Sequence, residues 1–316
     1  MSHIAAIIDN KDVYIFNLRK SKIVNRLTDT SNFLDIQYSP NGNYLLGVST
    51  LGEIIMWETH SYEVLTRTTL EYFNPKYTFK IIFSPGSQKF YFINKITSKS
   101  FDLSIFNTRD LNLIDKITLE FDYSHCFRIS HDGTTLAFIS VDKIVFFSLE
   151  DKEFIKYFKT RGLCYQLIFT NDDKYLVYSD IFHDVNYLNN ETGKLDHKLD
   201  VREYDSYDNS HKFSKNGKYL MFNMQNYYFI KDLEIELTEP KSVVPRRRIY
   251  INEPGPKMNT SLNKSDDSTL FFAYSDSNSD KMRLRMYDLS EDEIFDIETP
   301  FNDITSVKIS LSNKYI

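Results

Sequence analysis

Scarcity is the first thing this chain shows. Its 316 residues include two cysteines, nine glycines, eight prolines and one tryptophan. Two thiols cannot build a disulfide framework, which leads us to expect a reducing, cytoplasmic setting. No stretch approaches the ~20 apolar residues a membrane-spanning helix needs. The opening MSHIAAIIDNKDVYIF has only a short apolar run without a basic flank, so it does not read as a signal peptide. Cationic surplus is absent too: 38 Lys and Arg stand against 44 Asp and Glu, for a net charge of −6. General nucleic-acid binding needs an excess of Lys/Arg on at least one face, so no nucleic-acid partner is expected. Disorder is excluded by a hydrophobic fraction of 41%, since such a chain has apolar surface enough to offset its ordering entropy.

What is present in quantity is aromatic. The chain has 22 Tyr and 25 Phe, residues that pack well on a pleated, half-buried surface, and this is a strong β signal. With few glycines and prolines for many turns, Asn, Asp and Ser must do much of the turning through side-chain hydrogen bonds to the local backbone.

A repeat organises the chain. An alternating apolar strand, a polar turn opening on Ser or Thr, and a second apolar strand recur in DIQYSPNGNYLLGV, KIIFSPGSQKFYFI, FRISHDGTTLAFI, QLIFTNDDKYLVY, HKFSKNGKYLMF, TSLNKSDDSTLFFA and SVKISLSNKYI. The turns open at Ser39, Ser84, Ser130, Thr170, Ser214, Ser265 and Ser310, at successive gaps of 45, 46, 40, 44, 51 and 45 residues. Read from the tail into the head, the wrapped gap from Ser310 to Ser39 is again 45. A ring accounts for complementary ends, because mating them removes an exposed strand edge. Within the second unit, Leu34–Tyr38, Tyr44–Ser49, Glu53–Trp57 and Glu63–Thr68 read as four successive strands. Tyr44, Tyr175, Tyr219 and Tyr315 each fall five residues after a turn opener.

A period near 45 with four strands per unit resembles the WD40 repeat family. That family's Trp-Asp dipeptide, at the end of the third strand, is matched loosely by Phe16-Asn17, Trp57-Glu58, Phe106-Asn107, Phe147-Ser148 and Tyr287-Asp288. No Gly-His dipeptide occurs, so blades must be held mainly by apolar packing. The resemblance implies an all-β, seven-bladed β-propeller over residues 1–316 as a single domain, closed by pairing of the C-terminal strand with the N-terminal strands. The stretch 237–268, with four of the eight prolines, reads as a long excursion between blades six and seven.

Chemistry-bearing motifs are sparse. There is no G-x-S-x-G elbow, no P-loop, no G-x-G-x-x-G, no C-x-x-C and no H-E-x-x-H. Cys126 and Cys164 fall at similar points of adjacent inner strands, and free cysteines there act as small buried hydrophobes. His183-Asp184 reads as a solvated loop pair, and Asn171-Asp172-Asp173 and Ser265-Asp266-Asp267 as hairpin turns, not Ca²⁺ loops. The one concentrated basic feature is Arg246, Arg247 and Arg248, read as a loop whose guanidinium forks suit carboxylates or phosphates. The alternative is a plain solvated loop, neutralised by Glu291, Asp292, Glu293, Asp296 and Glu298. It is similar to the paired-arginine motif of phosphoinositide-binding propellers, but Pro245 before it and Ile249 after it depart from that pattern.

The expected function is a non-enzymatic protein–protein interaction scaffold, a subunit or adaptor of a larger intracellular complex. It would be a monomer within that complex, binding protein or peptide on a propeller face, with no cofactor, metal or catalytic residue. The alternatives are an enzyme with a central-channel site and a phosphoinositide or anionic-membrane binder acting through Arg246–Arg248, although no membrane contact is expected.

Overall fold

The computed structural model describes residues 3–8, 12–17, 20, 22–28, 32–71, 73–122, 124–182 and 184–200. In the C-terminal part it describes 212–213, 219–224, 227–232, 247–250, 259–262, 269–275, 281–288, 293–301 and 304–309. These residues hold strands and turns and no helix, so no helix among them is long and apolar enough to cross a membrane.

The strands assemble as four-stranded antiparallel sheets in chain order. The first sheet carries β1 (His3–Ile8), β2 (Asp12–Asn17) and β3 (Lys22–Leu27). The second is β4 (Phe33–Tyr38), β5 (Tyr44–Ser49), β6 (Glu53–Glu58) and β7 (Val64–Thr69). The third is β8 (Phe79–Phe83), β9 (Lys89–Lys95), β10 (Ser100–Asn107) and β11 (Leu113–Glu120). The fourth is β12 (Ser124–Ile129), β13 (Thr135–Ser140), β14 (Lys143–Ser148) and β15 (Phe154–Lys159). The fifth is β16 (Cys164–Phe169), β17 (Tyr175–Asp180), β18 (Asp184–Asn189) and β19 (Leu195–Asp200). The sixth is β20 (Lys212–Phe213), β21 (Tyr219–Met224), β22 (Tyr227–Asp232) and β23 (Arg247–Tyr250). The seventh is β24 (Asn259–Leu262), β25 (Thr269–Ser275), β26 (Met282–Asp288) and β27 (Glu293–Glu298). The last strand, β28 (Ile304–Ile309), returns to the first sheet and pairs antiparallel with β1, placing Ile309 opposite Ile4 and Val307 opposite Ala6. This all-β series of four-stranded meanders is consistent with a propeller.

Burial explains the sequence pattern. The two central strands of a sheet are covered on both faces, so β5 and β6 are buried almost throughout, and such strands read as near-continuous apolar runs. Outer strands such as β7 and β15 alternate between half-buried and exposed. Each apolar cluster bridges two successive sheets. Ala5, Ile7 and Ile15 meet Phe33, Ile36 and Trp57. Val48, Ile54 and Met56 meet Ile81, Phe90 and Phe92. Tyr91, Ile93 and Leu103 meet Phe127, Phe138 and Val145. Ile139 and Ile144 meet Leu167, Leu176 and Tyr178. The lone tryptophan lies against Phe33, ring centroids 5.5 Å apart, and over Gly47, where an added Cβ would come within 2.8 Å of the indole. All five dipeptides matched to the Trp-Asp motif end a third strand.

The turn opener has a physical role. Its hydroxyl accepts the backbone N–H five residues on, at 3.0 Å in each of Ser39–Tyr44, Ser84–Lys89, Ser130–Thr135 and Thr170–Tyr175. In three of these turns it also donates to the Asx side chain two residues on: Asn41, Asp132 or Asp172. The fourth turn position takes a left-handed backbone, at Gly42 (φ 73°), Ser87 (63°), Gly133 (79°) and Asp173 (53°). Ser and Asp thus occupy a conformation that elsewhere in the same repeat falls to glycine.

Candidate functional site

In a four-stranded meander, the turns between strands one and two and between three and four share one end. The turns between strands two and three share the other end with the connections to the next sheet. These two ends differ chemically.

At the first end the turns are polar and bonded to one another across sheets, while the fourth strands that leave them begin with exposed apolar residues such as Val64, Leu65, Leu113, Ile114, Phe154 and Ile155. The Asn41 N–H donates to Ser87 Oγ of the next sheet at 3.1 Å. Between the fourth and fifth sheets, the Asp173 carboxylate accepts the backbone N–H groups of His131 and Asp132, both at 2.9 Å, and lies 3.0 Å from His131 Nδ1. Lys152 pairs with Asp115, and Lys156 donates to the Asn190 carbonyl, so third-to-fourth-strand turns are stitched to neighbouring sheets as well. Polar groups satisfied in this way leave little to offer a partner.

The second end has apolar tips. Leu51 is 74% exposed; Ile96, Val141 and Phe182 occupy the corresponding turns of the third, fourth and fifth sheets, and Tyr77 and Leu163 project from the connections beside them. The tips are held from below. Ser49 Oγ accepts the N–H groups of Leu51 (3.2 Å) and Glu53 (3.1 Å), and Asp180 Oδ1 accepts those of Phe182 (2.9 Å) and Asp184 (3.2 Å). Beneath them runs a rung of diagonal ion pairs from third to fourth strand: Asp102–Lys116 at 2.7 Å, Asp184–Lys198 at 2.6 Å and the looser Glu53–Arg67 at 3.4 Å. In the fourth sheet Lys143 instead sits over the Tyr157 ring at 5.0 Å. Arg161 covers the Phe182 ring at 4.7 Å, an aromatic–cation surface of the kind enriched in binding hot spots. Val141 stands out further, because this β-branched residue is held at φ 52°, a true outlier for its type. A small cleft at the same end, with room for about one water molecule, is lined by Thr78, Ile93, Lys95, Phe101, Phe121 and Phe127.

The residues singled out from sequence fall elsewhere. Arg247 and Arg248 belong to β23, opposite Ile230 and Phe229 of β22. This corrects the loop reading: two of the three arginines are paired outer-strand residues, because the excursion supplies the last strand of the sixth sheet and, in β24, the first of the seventh. Arg246 lies outside the described residues, as does His183. Of the acidic counterpart, Glu291 and Asp292 lie outside them, whereas Glu293, Asp296 and Glu298 fall on β27. Cys126 and Cys164 are free, buried, and in one apolar cluster. Burial pushes the Cys164 thiol up to about 12, against a hydrogen bond with Thr160, and nearby Asp180 and Cys126 push the same way. A thiol so shifted is not nucleophilic at neutral pH. Asp184 is a buried strand residue paired with Lys198 and not a solvated loop residue. Among the described residues no three His, Cys, Asp or Glu side chains converge as a metal-binding group. The sequence did carry one overlooked signal for the turn tips: an apolar residue (Leu51, Ile96, Val141, Phe182) inside turns where small polar residues are the norm.

No family model matches the chain, and no curated protein matches it. Solved structures do. A functionally unknown protein from Desulfotomaculum acetoxidans DSM 771 is similar at a TM-score of 0.70 and 12% identity, over 99% of both chains. The dihydro-heme d1 dehydrogenase NirN in complex with DHE is similar at a TM-score of 0.63 and 11% identity, over 97% of this chain and 74% of that one. At such identities the likeness establishes a β-rich, propeller-like fold and carries no activity.

Proposed function

We propose that the chain is a closed, seven-bladed, WD40-like propeller that works as a non-enzymatic interaction scaffold within a larger complex. Closure is supported by the pairing of β28 with β1, and the blade number by seven four-stranded sheets. The scaffold reading rests on one observation, the contrast between the turns at the two ends of the sheets. One end uses its polar groups on itself. The other displays Leu51, Ile96, Val141 and Phe182 at equivalent positions of four consecutive sheets, and repeated exposed apolar groups on a rigid frame are the mark of a protein-binding face. The partner is a protein segment that brings apolar side chains to those tips.

The test is capture from the cells of origin with three baits: the parent chain, a tip variant (Leu51→Ser, Ile96→Ser, Val141→Gly, Phe182→Ser) and an opposite-end control (Arg109→Glu, Glu191→Lys). The partner should be retained by parent and control and lost by the tip variant. Equal retention by the tip variant would remove this face from the account. The likeness to NirN, whose name is that of a dehydrogenase, is the ground for the enzymatic alternative. Titration of the purified chain with a haem tests it: a saturable absorbance shift at one equivalent would favour that reading.

A further inference from the structure

The outer strands of the first five sheets share a defect that the seventh lacks. Where β3, β7, β11, β15 and β19 pair with the third strand of their sheet, the register slips by one. Val24, Leu65, Ile114, Ile155 and Asp196 are left with no residue opposite. Such bulges bend an edge strand and interrupt its row of open N–H and C=O groups, blocking further pairing. Strand β27 has no bulge. Glu293–Glu298 lie opposite Asp288–Arg283 in six unbroken pairs, at the edge of their sheet.

A second protective device is missing from the same strand. Every other outer strand carries Lys or Arg: Arg26 in β3, Arg67 in β7, Lys116 in β11, Lys156 and Lys159 in β15, Lys198 in β19, Arg247 and Arg248 in β23. Edge lysines discourage the addition of another chain. Strand β27, EIFDIE, has no basic residue, no proline and no glycine, and three carboxylates in six positions. β23 is also unbroken over its described pairs, but it spans only four residues, and short edges are themselves protected.

From these features we propose that the outer edge of the seventh sheet accepts an extended Lys/Arg-rich segment of a partner protein as a fifth strand. Main-chain hydrogen bonds from the unbroken edge would supply the pairing and its three acids the selectivity, as in strand-addition recognition generally. A second copy of the chain does not fit. Antiparallel self-pairing about the centre of β27 sets Glu293 against Glu298 at both ends, and like charges directly opposite are destabilising. This surface is separate from the apolar turn tips, so the proposal stands or falls independently of them.

The experiment uses fluorescein-labelled KVKVKVKV, EVEVEVEV and a KVK-Pro-KVKV peptide against the full chain, read by anisotropy, with hydrogen exchange to locate the contact. We expect saturable binding of the first peptide, binding at least tenfold weaker for the other two, and new amide protection confined to residues 293–298. A Glu293→Lys, Asp296→Lys, Glu298→Lys variant, and one with a threonine inserted between Ile294 and Phe295 to recreate the bulge, should each lose at least tenfold. The proline peptide keeps the charge while forbidding the ladder, so it decides between pairing and diffuse attraction even if the insertion impairs folding. Equal binding of the proline peptide, protection at another outer strand, or self-association of the chain through β27 would overturn the proposal.

Discussion

Replacing Ser39 by alanine probes the repeat at its chemical root. Ser39 is fully buried, accepts the Tyr44 N–H at 3.0 Å and donates to Asn41 Oδ1 at 2.7 Å. Deleting the hydroxyl strands a backbone donor in a tight turn, which costs about 1–3 kcal/mol. Ser84 is the internal comparison. It makes the same 3.0 Å bond to the Lys89 N–H, but it is more exposed, and Gly86 stands where Asn41 does, so no side chain accepts its proton. Water can take over there, and Ser84→Ala should cost only about 0.5–1 kcal/mol. For a 316-residue chain the unfolding entropy is roughly 0.7 kcal/mol per degree. Ser39→Ala should therefore lower Tm by about 2–4 °C and Ser84→Ala by about 1 °C, read by calorimetry at neutral pH. Partner capture through the turn tips should be untouched by either. Equal losses, or a neutral Ser39→Ala, would show that the recurring hydroxyl is not what closes these turns.

Four further outcomes are expected. Asp132 and Asp172 sit below the usual carboxylate value: burial raises both, but it is outweighed by hydrogen bonds from Ser130 and Thr134 on Asp132, and from Thr170 and Lys174 on Asp172. Their stabilisation is complete above the unfolded value of about 3.9 and is lost as pH falls through the lower folded values. The double Asn variant should be less stable at neutral pH, with the gap closing below about pH 4; a pH-independent gap would contradict this. Native protein at pH 8 should react negligibly with a thiol-specific disulfide reagent and yield both thiols on unfolding, so fast native labelling of Cys164 would contradict its upward shift. Val141→Gly exchanges left-handed strain of about 1–2 kcal/mol for a lost exposed side chain and a more flexible unfolded chain. Its Tm should stay within about 1 °C while partner capture weakens, and unchanged capture would remove Val141 from the face. Charge reversal of Arg247 and Arg248, which lie on β23 and not at the turn tips, should leave partner capture unchanged; weakened capture would restore them as contacts.

The parts of this molecule that left a trace in the sequence are those made by local hydrogen bonds. Ser39 and Tyr44 belong to one six-residue turn, and so the pattern survives wherever that turn is needed. The second-sheet strands read from sequence match those observed to within a residue. Trp57 is legible as the end of a third strand, but its place over Gly47 is not, because that contact joins residues with no local pattern. The bulges at Val24, Leu65, Ile114 and Ile155 were invisible, since a one-residue slip appears only once the partner strand is known. Arg247 and Arg248 misled for the opposite reason: charge and neighbouring proline signal a loop, while pairing with β22 makes them strand. The turn tips were readable in principle, as apolar residues in polar turns, but their sharing of one end follows only from the sheet order.

Closure of the ring is tested most directly by removing its last strand. A chain ending at Thr299 lacks β28 and leaves the buried strand β1 paired only with β2. It should aggregate or lose cooperative unfolding, and a synthetic peptide of residues 300–316 added in trans should bind and restore the melt. A truncated chain that unfolds at the parent temperature and ignores the peptide would contradict the account.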